Sequence, residues 1–152
     1  MPVRLTTWLS CWGPPLLWMA LIFCGSSIPG QEADTMTRTA SGVDEPVQVQ
    51  RIKDVVHVVE YGLLTVLLIR SFRKGADAAS AGHAVKSAVI ATMYGISDEA
   101  HQLFVPLRNA NIGDVLRNAV GAAVGMGIVM GIEWAKRRRT HRGRASRGFD
   151  LP

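Results

Sequence analysis

Three short runs of this 152-residue sequence gather side chains that can move protons, pair charges or ligate ions. The first holds Asp54, His57, Glu60 and Tyr61, the second Asp98, Glu99, His101 and Gln102, and the third Asp114, Arg117 and Asn118. If each run is helical, Asp54, His57 and Tyr61 fall on one stripe at i, i+3 and i+7, with Glu60 bordering it. Asp98, His101 and Gln102 share a face, and Glu99 is turned about 100° from Asp98. Asp114, Asn118, Gly121 and Gly125 repeat at i+4 and i+7, with Arg117 beside them and Arg108 a few residues upstream. The chemistry on offer is acid–base exchange between carboxylates and imidazoles, or recognition of a charged ligand by carboxylates and guanidinium groups.

Several sharper chemistries fit less well. His57-x-x-Glu60 and Glu99-x-His101 offer metal-ligating types, as facing helices do in bundle metal sites. Glu99 and His101, two positions apart, do not share a face, so neither a metal ion nor any other cofactor is expected. Two histidines on different helices could also ligate a haem, but no further feature supports that. Ser97 precedes Asp98, yet no strained G-x-S-x-G turn is present for nucleophilic hydrolysis. Gly121, Gly125 and Ala122 sit inside an apolar run, where small residues let helices approach closely; no phosphate-cradling loop is indicated.

The elements that must position these residues are apolar. Charged residues make up only 19% of the chain and are segregated. Four stretches approach the roughly 20 residues needed to cross a bilayer: 8–28, 52–69, 84–104 and 112–134. Each has an apolar body, and the polar residues of the last three lie toward one end. The expected fold is all-α, a four-helix transmembrane bundle spanning residues 8–134. The stretch 29–51 reads as a polar, mobile loop, 71–82 as a short polar connection, and 106–111 as the turn of an antiparallel hairpin. Residues 135–152 form a basic tail without apolar periodicity, expected to be disordered.

Placing both termini in the cytoplasm puts twelve of the 17 Lys and Arg inside, including Arg4, Arg70, Arg73, Lys74, Lys86 and seven of the tail, and leaves Arg38, Arg51, Lys53, Arg108 and Arg117 outside. That bias sets the orientation expected for a multi-pass protein of the inner membrane, with the polar cluster facing outward. A basic tail behind apolar spans marks a cytoplasmic end and argues against a nucleic-acid partner. A cleaved signal peptide competes for the first span, since Arg4 precedes an apolar run ending in Gly25, Ser26 and Ser27. The run is longer than a signal core, which favours a retained helix. Cys11 and Cys24, about 20 Å apart on one helix, cannot pair with each other.

Ionisable groups at membrane depth must pair, face the bundle interior or line a hydrated cavity. Two accounts of the cluster stay open: a satisfied network that holds the helices in register, or a site.

The residues also resemble a family. Lys53-Asp54-Val55-Val56-His57 with Tyr61, the run from Ser97 to Pro106 with Arg108, and Asp114-Val115-Leu116 with Asn118 and Gly121 are similar to the VanZ-like family, as is the small, Ser-rich stretch Phe23 to Pro29. The resemblance covers roughly 22–129. It implies a four-helix membrane protein of the bacterial cell envelope, with Asp54, His57, Tyr61, Asp98, Glu99, Gln102, Arg108, Asp114, Asn118 and Gly121 as characteristic positions. The name-giving member is associated with teicoplanin resistance, which implies a role facing the cell wall. Here Lys53-Asp54 reverses the family's common order, and Leu107 stands where Gly usually precedes Arg108.

Two functions from different classes follow. One is a non-enzymatic protein binding an envelope lipid, a cell-wall precursor or a glycopeptide-related ligand, with Arg108, Arg117 and Lys53 on an anionic group and Asp54, Asp98 and Asp114 orienting them. The other is an enzyme on a lipid-linked envelope substrate, with His57 or His101 as base and Glu99 or Glu60 as acid. The balance leans away from catalysis. A transporter is disfavoured because no span is broken at mid-membrane.

Overall fold

The computed structural model describes residues 5–73, 79–108 and 110–147, which form five helices and no strand: α1 (Leu5–Ser26), α2 (Gly30–Ser41), α3 (Pro46–Phe72), α4 (Ala81–Gln102) and α5 (Ile112–Arg147). Helices α1, α3 and α5 are each long and apolar enough to cross a membrane. Lys74 and residues 148–152 lie outside the described residues.

Helix α1 carries Pro14 and Pro15 in its interior. Proline has no N–H, so the carbonyls four residues earlier, Ser10 and Cys11, lose their helical partners. Helix α3 supplies replacements: Arg70 Nη1 donates to the Ser10 carbonyl at 3.4 Å and Ser71 Oγ to the Cys11 carbonyl at 2.6 Å. Trp18 Nε1 donates to the Glu60 carbonyl at 2.9 Å, and Trp12 meets Phe72 edge-on. These contacts run α1 antiparallel to α3.

Two stretches differ from the sequence-based expectation. The polar segment 29–51 holds a helix, α2, and the first turn of α3, which starts at Pro46. Helix α2 ends at Gly42, whose φ of 67° is left-handed and whose N–H bonds back to Arg38 O at 2.8 Å. That capping geometry needs glycine. Lys53 Nζ then ties α2 to α3 through Asp34 at 2.9 Å. The basic stretch 135–147 continues α5 as helix, where disorder was expected. Extending an existing helix avoids the nucleation cost, and Ala, Lys and Arg are good helix formers. Glu133 anchors this end through Arg73 at 3.0 Å, and Arg138 lies over the Trp134 ring at 3.8 Å.

Helices α3 and α5 run parallel and meet through glycine. A Cβ on Gly121 would collide with the Val58 carbonyl and one on Gly125 with the Gly62 carbonyl. The core beside this seam consists of Ile22, Tyr61, Leu64, Leu68, Ala91 and Ala122, flanked by Trp12, Trp18 and Tyr94. A second cluster, Ile69, Ala79 and Ala84, closes the opposite end against Met126, Val129 and Met130. The outer surface is apolar in stripes: Val55, Val59 and Leu63 on α3, Val85, Val89, Met93 and Ile96 on α4, and Leu116, Val120, Val124, Ile128 and Ile132 on α5 are all exposed. Helical spacing of exposed apolar residues is what a lipid-facing surface requires.

The link between α4 and α5 packs on the start of α2, just past the end of α1. Gly30 N–H donates to Pro106 O at 3.1 Å, and a Cβ on Gly30 would strike the Leu107 carbonyl. Leu107 itself has φ 58° and is exposed. A branched side chain in the left-handed region costs about 1 kcal/mol. Leu107→Gly should therefore raise stability by about 0.5–1 kcal/mol in equilibrium unfolding of the detergent-solubilised protein; a loss of that size would show that the leucine side chain holds the turn.

Candidate functional site

Residues from four helices converge where α1 and α4 end and α3 and α5 begin. The centre is Asp98, 3% exposed, whose carboxylate accepts from Ser26 Oγ at 2.5 Å and from Gln102 Nε2 at 3.2 Å. Gln102 Nε2 also donates to Glu99 Oε1 at 3.2 Å, and its Oε1 accepts from Arg108 Nη1 at 3.3 Å. Arg108 reaches further, donating from Nε to Ile28 O at 3.2 Å and from Nη2 to Gly25 O at 3.4 Å. Gly25 lies in the last turn of α1, where its carbonyl also accepts a long bond from Ile28 N–H at 3.3 Å and the helix end carries partial negative charge. Arg108 thus closes the C-terminal end of α1 while its chain position lies between α4 and α5.

The helical phase of α4 separates its polar residues. Glu99 and His101, about 200° apart at 100° per residue, point to different neighbours. Glu99 Oε2 accepts from Asn111 N–H at 3.2 Å, at the start of α5. His101 turns to α1, with Nε2 3.1 Å from Ser27 Oγ and its ring 4.4 Å from that of Phe23. Glu99 and His101 are therefore not assembled as a ligand pair, whereas His57 and Glu60 border one cavity. Instead, ligand atoms of His57, Glu99 and Asp114, from three helices, lie within 4.8 Å of one another.

Arg117 bonds Asp114 and also Asp54, the latter at 3.2 Å. Asp54 further accepts from Gln50 Nε2 at 2.8 Å. Lys53 and Asp54 therefore both work, in different directions: Lys53 toward α2, Asp54 toward α5. Deeper in the bundle, Tyr61 and Asn118 are both fully buried and crowd Gly95, where a Cβ would lie 3.0 Å from Asn118 and 3.1 Å from the Tyr61 ring. The Tyr61 hydroxyl, both polar atoms of the Asn118 amide and His57 Nδ1 are buried without a hydrogen-bond partner among the described residues. Such groups are costly in a low-dielectric interior and point to a bound water, ion or ligand.

Beside Asp98 opens a cavity of about 160 Å³, walled by Ser26 and Gly25 of α1, Ala33 and Thr37 of α2, Lys53, His57 and Glu60 of α3, and Arg108. Two of its walls were not anticipated as site elements. Helix α2 was hidden in a stretch read as loop, and Ser26 stood in the sequence only as part of a Ser-rich helix end. Its polarity at the end of an otherwise apolar span was the available signal.

The fold and site define a helical protein with three helices long and apolar enough to cross a membrane and a buried polar cluster at one end. Residues 12–134 match the family model VanZ/LLP1, and the chain belongs to the VanZ/LLP1 family. No curated protein and no solved structure matches it.

Proposed function

We propose that this chain is a four-span protein of the bacterial inner membrane, its domain 8–134 oriented with both termini in the cytoplasm, that binds the phosphate-bearing head group of an envelope lipid at its outward-facing end. The exposed apolar stripe on α4 supports a fourth span beside α1, α3 and α5. The Lys and Arg bias supports the orientation.

The observation that carries the binding reading is the cavity beside Asp98, with two cations in its wall. Arg108 donates only to neutral oxygens among the described residues, so its charge has no carboxylate partner there. Lys53 is shared with Asp34, which is half exposed and gives up little on losing it. A phosphate accepts bidentate bonds from a guanidinium and a point charge from an ammonium. Glu60 and Asp98, in the same wall, suit the hydroxyl or ammonium donors of a head group.

The test is titration of the purified full chain in neutral detergent with dihexanoyl phosphatidylglycerol and with dihexanoylglycerol, which lacks the phosphate. The phosphate-bearing lipid should bind at least tenfold more tightly, and Lys53→Gln should remove most of that advantage. Equal binding of the two would sink the reading. An acid–base enzyme is the second reading, favoured by His57 standing opposite Glu99 and Asp114; its signature is turnover of the bound lipid, lost in His57→Gln.

A further inference from the structure

We propose that His57, Glu99 and Asp114 form the binding site for one divalent first-row transition-metal ion, Zn²⁺ or Mn²⁺, with the Asn118 amide oxygen as a fourth donor. The three side chains come from α3, α4 and α5, and their ligand atoms lie within 4.8 Å of one another. Bonds of about 2.0–2.2 Å place donors roughly 3–4 Å apart around a common ion, so a closure of about 1 Å completes the site.

Charge argues in the same direction. Around Arg117 stand Asp54, Asp114 and, across the α4–α5 contact, Glu99. With Asp98 close by, these carboxylates outnumber the guanidinium groups of Arg117 and Arg108 and leave net negative charge at the end of an apolar bundle. Uncompensated charge in such a setting is expensive, and a divalent cation offsets it. Arg117 occupies only Oδ1 of Asp114, which leaves the other oxygen for an ion.

The surroundings are built for ligands held in place. Glu99 is oriented by the Asn111 N–H on one oxygen and by Gln102 on the other. Outer hydrogen bonds of this kind fix metal-ligating carboxylates. Asn118 is one turn along from Asp114, fully buried, and beside the His57 ring, with both amide atoms lacking partners. His57 Nδ1 is likewise buried and unpartnered. An imidazole among oxygen donors selects Zn²⁺ or Mn²⁺ over Ca²⁺, which takes oxygen ligands alone. The site is independent of the lipid reading, although His57 also borders the cavity and an ion there would face it.

The experiment uses the full chain, free of any affinity tag, stripped with chelator in detergent and dialysed against Zn²⁺ or Mn²⁺ alone. One ion per chain is expected, bound at least tenfold more weakly in Glu99→Gln and in Asp114→Asn, and unchanged in His83→Gln. In the unmodified protein, substoichiometric Mn²⁺ should broaden the imidazole resonances of His57 before those of His83, His101 and His141. That measurement needs no variant to fold. Absence of a stoichiometric ion, or earliest broadening at another histidine, overturns the proposal.

Discussion

Gly121→Ala and Gly125→Ala each lower the stability of the purified protein by about 2 kcal/mol, while Gly127→Ala on the same helix leaves it unchanged or raises it slightly. The difference follows from what a Cβ would meet. At Gly121 and Gly125 it meets backbone carbonyls of α3, which no rotamer change can move aside; at Gly127 it meets nothing within 4 Å. In a bilayer the hydrophobic effect does not drive helices together, so close van der Waals packing carries the association. Forcing α3 and α5 apart loses it along the whole seam. The damage should also reach the polar end, because Arg117 bridges Asp54 and Asp114 across the same pair of helices. Equilibrium unfolding in mixed micelles, read by circular dichroism, checks the order of the three variants. Equal stability of Gly125→Ala and Gly127→Ala would show that the seam is loose in the membrane.

How much of this arrangement could be read from residue spacing depends on whether one helix suffices to express it. The apolar bodies of the spans and the polar stripe of Asp54, His57 and Tyr61 are properties of single helices, and periodicity exposes them. The opposite headings of Glu99 and His101 are also single-helix facts, and the structure sends one to α5 and the other to α1. The grouping of His57 with Glu99 and Asp114 is of another kind. It depends on the rotation of three helices about their axes, which is set by the glycine contact between α3 and α5 and by the core around Tyr61. Spacing within one helix therefore pairs Glu99 with His101, whereas the fold sets Glu99 beside His57 and Asp114. Helix α2 escaped for a local reason. Its Thr, Ser and Gly content has weak helix propensity, and what holds it is a left-handed cap at Gly42 and a long-range tie from Lys53 to Asp34.

Arg108→Ala should cost about 3 kcal/mol, and Arg108→Lys nearly as much. Arg108 donates three hydrogen bonds to Gly25, Ile28 and Gln102, joining the end of α1 to α4 through the loop that precedes α5. A hydrogen bond involving a charged group contributes about 1.5–3 kcal/mol net when well formed, and these three are long, at 3.2–3.4 Å, so together they are worth about 3 kcal/mol. Removing the guanidinium also leaves the Gly25 carbonyl with only the long bond from Ile28 N–H at 3.3 Å among the described residues. Lysine keeps the charge that favours a helix C-terminus, but its single ammonium cannot span the three acceptors at once. If Arg108→Lys were as stable as the unmodified protein, charge at the helix end would be the whole contribution and the fork geometry irrelevant. The same comparison separates folding from binding. Lys53 lines the same cavity but among the described residues its ion pair is to the half-exposed Asp34, so Lys53→Gln should leave unfolding within about 0.5 kcal/mol of the unmodified protein while weakening binding of the phosphate-bearing lipid. Arg108 variants should lose both properties together, because the guanidinium that faces the cavity is also the one that holds α1 in place to form its wall.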